Sequence, residues 1–454
     1  MSSASSPIRY PNSGSSQLMT RRAWWLVVLN LLIPGSAQVL AGNRRMGRFG
    51  LGATLSFLAL LVVAAVLYLV NPEVLLTIAT NSIGLWVLAI VMVFYAVVWV
   101  VLTLDTIRLV RLVKARPKAR PFIAGLATVA MIVVAGTAGY GAYVATTASG
   151  FLSSVFTAGP SEPPVDGRYN ILLLGGDAGA DREGMRPDST SVVSIDADTG
   201  KADIIGLPRD LEHAPFPAES PLNAVYPNGY GYNNTCDVDV CQLNSIYTEV
   251  ELKSPEMYPN AVEEGSEPGI EAMRDAASGV TGLTIQYYVL IDMEGFSQLI
   301  DALGGVDINV EERLPIGGQL EDLSDVEGWV EPGQQHMDGF TALWYGRARH
   351  GSSDYDRMAR QRVLQEAILQ QFNPANVLTK FQGVAQAGEQ VVRTDVPQGM
   401  LGYFTNLATK TQKLPVGSVE LVPDNGIDPT EPDYEYIAEL IDAALNPPTE
   451  TPAP

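Results

Sequence analysis

The chain has 454 residues and a formal net charge of −21, with 29 Lys+Arg against 50 Asp+Glu. Twelve of the cations lie in the first 120 residues beside only Glu73 and Asp105, so the remainder carries 17 cations against 48 carboxylates. Such a balance argues against a nucleic-acid partner, and the length suffices for a membrane region plus one sizeable domain.

In chain order, residues 1–22, rich in Ser, Pro and Asn near their start, read as a disordered cytoplasmic tail. Residues 23–40 are apolar but lie between Arg21-Arg22 and Arg44-Arg45 and are interrupted by Pro34-Gly35-Ser36. Cations at both ends fit a re-entrant or interfacial hairpin; a fourth full span is the competing reading. Residues 51–70, 85–104 and 122–144 are charge-free runs close to the roughly 20 apolar residues that span a bilayer. Cations precede the first span and separate the second from the third, whereas the connection at 71–82 has Glu73 and no cation. By the positive-inside rule the basic segments are cytoplasmic and everything after about residue 145 is extracytoplasmic. No small-residue cleavage site follows a short apolar core, so no cleavable leader is expected. The membrane region is thus placed at 23–145, with a linker at 146–168.

From 169 the composition becomes that of an α/β domain, extending to 445 and followed by a Pro-rich end at 446–454. Strands are expected at 169–174, 191–195, 202–207, 285–291 and 306–310, helices at 293–303 and 354–372, then a strand at 419–422 and a last helix at 434–445. Alternation of the two element types predicts a mixed central sheet covered by helices. Residues 211–282 show weak periodicity and read as a long insertion of loops and short helices. Cys236 and Cys241 are the two cysteines, and in an exterior domain a loop-closing disulfide between them is expected.

Five arginines fall within sixteen positions near the C-terminal end: Arg347, Arg349, Arg357, Arg360 and Arg362. A guanidinium fork matches phosphate oxygens two at a time and stays charged, so a cationic knot in an acidic domain points to an oxyanion site. If extended, Arg347 and Arg349 point to one face; if helical, Arg357, Arg360 and Gln361 share a face that continues as Leu364 and Ile368. Arg186, Asp188 and Arg209 sit where strands end or begin, as does Asp177, and Asp177 with Asp188 can hold one Mg²⁺ together with phosphate oxygens. The bland alternative is that these carboxylates cap turns or pair with Arg186 and Arg209. No phosphate-binding loop, Ser/His/Asp or Cys/His arrangement is present.

The motifs Asn170-Ile171-Leu172-Leu173-Leu174-Gly175-Gly176-Asp177, Arg186-Pro187-Asp188-Ser189, Leu207-Pro208-Arg209-Asp210, Leu243-Asn244-Ser245-Ile246-Tyr247 and Asp301-Ala302-Leu303-Gly304-Gly305-Val306, followed by the arginine stretch, resemble the ordered motifs of the LytR-CpsA-Psr family over residues 169–372. The resemblance implies an enzyme of the outer membrane face that transfers a glycopolymer from a polyprenyl-pyrophosphate carrier to a peptidoglycan hydroxyl. It further implies that Arg186, Arg209, Arg347, Arg349, Arg357 and Gln361 bind the lipid-linked pyrophosphate, with Arg360 on the same helix. Asp177 and Asp188 would hold Mg²⁺, and Asp354 would orient the arginines. A polyprenyl-pyrophosphate phosphatase and a lipid-binding regulator are the alternatives. Two departures stand out: Pro187 replaces a usual serine, and Arg182 has no assigned role.

Overall fold

The computed structural model describes residues 9, 11–157, 159–177, 186–317, 324–348, 353–371 and 392–447. The chain divides into two compact units, 1–150 and 151–454.

The first unit is helical. Its elements are α1 (Ser16–Leu32), α2 (Ser36–Ala41), α3 (Arg44–Val70), α4 (Pro72–Thr80), α5 (Ser82–Val110) and α6 (Arg120–Val155), the last running on into the second unit. Three helical segments, Arg44–Val70, Ser82–Lys114 and Pro117–Val155, are long and apolar enough to cross a membrane. Helix α1 begins inside the stretch expected to be a tail, because the Ser15 hydroxyl caps it by accepting from the Leu18 amide. Similarly, α6 continues through the first part of the expected linker.

Helices α1 and α2 form a hairpin broken at Pro34-Gly35. Gly35 adopts φ 97°, and a Cβ there would lie 2.4 Å from the Leu51 amide nitrogen, so only glycine lets the turn meet α3. At one end of the hairpin Arg22 donates to the Leu109 carbonyl (2.9 Å), and at the other Asn43 donates to Asp105 (3.0 Å). Between them Asn30 donates to Thr103 (2.9 Å) and Gln38 to the Leu102 carbonyl (2.6 Å). At the tip, Thr54 donates to the Pro34 carbonyl (3.1 Å). Thr54 lies roughly 15 Å along α3 from Arg44 at 1.5 Å per residue. Both ends of the hairpin therefore lie beside the same end of α5.

The second unit is built on a six-stranded mixed sheet of order β10-β3-β2-β1-β4-β9, from β1 (Arg168–Asp177), β2 (Arg186–Asp196), β3 (Ala202–Leu207), β4 (Tyr287–Asp292), β9 (Val392–Thr394) and β10 (Gly417–Glu420). Strand β1 is parallel to β4 and antiparallel to β2. Between β3 and β4 lie α7 (Pro221–Val225), α8 (Ser245–Lys253) and α9 (Pro268–Thr281); α10 (Met293–Leu303) follows β4. Two ribbons come next, β5 (Val306–Val310) with β8 (Gly333–Met337), and β6 (Leu314–Gly317) with β7 (Val326–Val330). They lead to α11 (Gly339–Arg347) and α12 (Asp354–Gln371), while α13 (Leu401–Thr411) and α14 (Tyr434–Leu445) flank β10.

Side chains of a strand alternate between faces, and here the two faces differ. Leu172, Leu174, Val192, Ile205, Tyr288 and Leu290 are buried in one continuous core against α8, α9 and α14. Helix α9 lies within the insertion read as loops and short helices. Its Ile270, Met273, Ala276, Ala277 and Val280 repeat at helical spacing and are buried. Each large side chain among them contributes roughly 1.5–3 kcal/mol of burial. Leu173, Val289 and Ile291 belong to the opposite face and are only half-buried. Helices α10, α11 and α12 pass over that face.

Candidate active site

The space between the second face of the sheet and helices α10 to α12 is a cavity of about 630 Å³. Its floor is Leu173, Val193, Val289 and Ile291; Phe296 and Leu299 come from α10, Ala342 and Trp344 from α11, and Leu364 and Ile368 from α12. The strand alternation carried the signal for this groove: 173, 289 and 291 have the parity opposite to the core positions. Asp188, Arg347, Arg357 and Gln361 line the same cavity. An apolar trough with charged groups in its wall is the result.

Asp188 is positioned by a bulge. Gly175 pairs with Ser189 and Gly176 with Pro187, so Asp188 is the extra residue of β2. Bulges of this kind redirect a side chain from the regular alternation. Asp177 pairs with Arg186 at the end of the ladder, which brings the backbones of both expected metal-binding aspartates to one strand end. Arg186 itself is exposed.

Arg209, just beyond β3, bridges two elements. Its Nε and Nη2 lie 2.8 and 2.5 Å from Asp354 Oδ2, and its Nη1 lies 3.3 Å from Asp188 Oδ1. Burial works against its charge, but Asp354 and then Asp188 outweigh that and raise its pKa above the ordinary arginine value. Asp354 opens α12 and also pairs with Arg357 (3.2 Å), one turn on. Arg357 is 2 % exposed and donates to the Asp188 backbone carbonyl (3.4 Å). Asp188, Arg209, Asp354 and Arg357 thus form one network joining β2, the exit of β3 and the start of α12. Tyr355, beside it, donates to Asp210 (3.3 Å), and burial followed by that carboxylate pushes its hydroxyl up to about 12.

Two expectations change. Arg347 is not in an extended segment: it ends α11, which is started by Asp338 accepting from the Thr341 amide, and its guanidinium sits 4.9 Å from the Trp344 ring centre. Arg360 does not share the cavity face with Arg357 and Gln361. It donates to the Tyr345 (3.1 Å) and Ala348 carbonyls and so clamps the end of α11 to α12, since three residues of helix leave it about 60° from the Arg357 direction. Gln361 does face the cavity and donates to the Gly346 carbonyl (3.1 Å). Arg349, like Arg182, lies outside the described residues, and so does the Asp177 side chain. Among the described residues there is no group of three His, Cys, Asp or Glu side chains that could hold a metal unaided.

Residues 145–427 match the LytR-CpsA-Psr family over more than half of the chain. The protein belongs to that family. Its relatives include the cell wall biosynthesis protein LcpA of Corynebacterium glutamicum, 26% identical over 61% of this chain and 54% of the relative. Another is the polyisoprenyl-teichoic acid–peptidoglycan teichoic acid transferase TagU of Oceanobacillus iheyensis, 30% identical over 55% of this chain and 66% of the relative. Among solved structures, Bacillus subtilis TagV aligns with 18% identity and a TM-score of 0.42, covering 61% of this chain and 97% of TagV. The family member described here spans about half the length of LcpA. Its mixed sheet and covering helices follow long apolar N-terminal helices, as expected.

Proposed function

We propose that this protein is a membrane-anchored phosphotransferase that moves a glycopolymer from a polyprenyl-pyrophosphate carrier to a hydroxyl of peptidoglycan. The observation that carries the reading is a single cavity that is apolar along the sheet and walled by Arg347, Arg357, Gln361 and Asp188 at its polar part. A donor of that class has the same two chemistries covalently joined. Family membership and the activity named for TagU support it.

The polyprenyl chain would lie against Leu173, Val289, Phe296 and Ile368, with its pyrophosphate at the arginines. An acceptor hydroxyl oxygen bonds to the phosphorus nearer the glycan and the bridging P–O bond breaks. Polyprenyl phosphate leaves and the hydroxyl proton is released. Charge on the transferring and leaving phosphates is neutralised by guanidinium forks already held in place by Asp354, so positioning and electrostatics carry the catalysis. Arg186, Arg209 and Arg349 are assigned to the same anion.

A divalent cation suits the donor chemistry: Mg²⁺ uses one or two carboxylates plus phosphate oxygens, and the bulge brings the Asp188 backbone beside the strand end that carries Asp177. When bound, Mg²⁺ supplies further neutralisation of the pyrophosphate. The apolar helices would set the second unit on the extracytoplasmic side, with the α1–α2 hairpin entering and leaving the bilayer on the cytoplasmic side. The test is turnover of a synthetic polyprenyl-pyrophosphoryl glycan by the purified full chain, with a peptidoglycan fragment as acceptor, with and without Mg²⁺. Mg²⁺-dependent transfer is expected. Hydrolysis alone would replace the reading by a pyrophosphatase, and binding without turnover by a lipid-binding regulator.

A further inference from the structure

The segment 229–245 is fixed far more firmly than an exposed polar loop requires. Cys236 and Cys241 are disulfide-bonded, and Gly231, at φ 72°, has no room for a side chain because a Cβ would lie 2.3 Å from Cys241 Cβ. Glu249 of α8 is 4 % exposed and accepts from the Tyr226 and Tyr230 hydroxyls and from the Asp237 amide (3.1 Å). Lys253 pairs with Asp237 (3.4 Å). A buried carboxylate, two tyrosines and a disulfide thus hold one short stretch of backbone.

What this frame displays is Tyr232, Asn233 and Asn234. Tyr232 is 46 % exposed, and His213 packs against its ring in an edge-on contact at 5.6 Å. Asn233 and Asn234 are exposed and both adopt left-handed backbone, at φ 57° and 56°. The Tyr232 hydroxyl and the two asparagine side-chain amides make no hydrogen bond within the described residues, and all three residues are exposed. An aromatic face beside outward amides suits a sugar: the ring covers pyranose C–H groups and the amides bond hydroxyl and acetamido groups, at low entropic cost when the loop is already rigid.

The loop is tied to the chain that leaves the arginine network. The chain leaving Arg209 is bonded to it three times, Asn244 N to Arg209 O (3.1 Å), Leu243 N to Leu211 O (2.9 Å) and Tyr230 N to Ala214 O (2.9 Å). The apolar part of the cavity accounts for a lipid donor and its charged wall for the pyrophosphate.

We propose that the disulfide-framed loop carrying Tyr232, Asn233 and Asn234 is the acceptor subsite, binding an N-acetylated amino-sugar glycan beside the arginine cluster. This deepens the phosphotransferase reading and rests on it. The two are separated by measuring binding and turnover on the same samples: saturation-transfer NMR of an uncrosslinked peptidoglycan tetrasaccharide on the full chain in detergent, and initial rates of transfer to that tetrasaccharide. The variants are Tyr232→Ala and Asn234→Gly, the second of which keeps the left-handed backbone while removing the amide. Saturation of the sugar by the wild type, reduced in both variants, with acceptor KM raised about tenfold and donor KM and kcat unchanged, is the expected result. Equal saturation in wild type and both variants, or none in the wild type, overturns the subsite whatever the turnover. Absence of transfer by the wild type despite variant-sensitive saturation overturns the phosphotransferase reading and leaves the glycan subsite standing.

Discussion

Replacing Arg209 separates geometry from charge. Arg209 makes two contacts to Asp354 and one to Asp188, and all three side chains are between a quarter and a third exposed. A hydrogen bond to a charged group is worth about 1.5–3 kcal/mol when dry, and partial exposure reduces that towards the surface range. Arg209→Ala is therefore expected to cost about 2 kcal/mol of folding stability, seen as a fall of a few degrees in Tm. Loss of one preorganised group facing the transferring phosphate costs about 10²–10³ in kcat, or roughly 2.7–4 kcal/mol. The rate should thus fall further than the stability. Arg209→Lys keeps the charge but cannot reach Asp188 and Asp354 with one planar fork. It should recover most of the Tm while remaining about 10²-fold slow. Transfer rates at saturating donor, with melting followed by tryptophan fluorescence on the same preparations, decide it. A lysine variant within about threefold of wild-type kcat would refute the use of the fork, and an alanine variant slowed only by its unfolded fraction would leave Arg209 structural.

Asp188→Ala should abolish Mg²⁺-dependent transfer yet leave binding of a fluorescent polyprenyl-phosphate analogue within about twofold; unchanged transfer would remove the metal role. Ile368→Trp fills the trough and should raise KM about tenfold for a long-chain donor while leaving a one-isoprene donor unaffected, so equal effects on both would place the lipid elsewhere. Reducing the Cys236–Cys241 bond, or a Cys236→Ser/Cys241→Ser pair, should cost about 2 kcal/mol from chain entropy in a loop of this length. Unchanged thermal or urea unfolding of that pair would show that the Glu249 network alone holds the loop.

Much of this was legible in the chain before any tertiary contact. The long charge-free runs require no tertiary information, and the segments that contain them are helices long and apolar enough to cross a membrane. Strand 202–207 and helices 293–303 and 434–445 have the bounds expected from their periodicity, and β5 likewise. The Asp188 and Arg209 motifs and the arginine stretch were singled out by the chemistry of the guanidinium, and the structure joins Asp188, Arg209, Asp354 and Arg357 in one network.

Other features were decided only by tertiary structure. Helix α9 is missed because its buried stripe contains small residues, Gly269, Ala272, Ala276 and Ala277, whose burial depends on the sheet beneath. The bulge at Gly175 and Gly176 is a register event between two strands, so Asp188 could be read as a candidate but not aimed. Arg360 differs from Arg357 by the 60° that an α-helix leaves after three residues, enough to send one guanidinium to the network around Asp354 and Asp188 and the other to the carbonyls ending α11. The cavity is the clearest case. Sequence determines that Leu173, Val289 and Ile291 are apolar and face away from the core, but whether a second face is filled by side chains or left open is set by how far α10, α11 and α12 stand from the sheet, and no single segment encodes that distance.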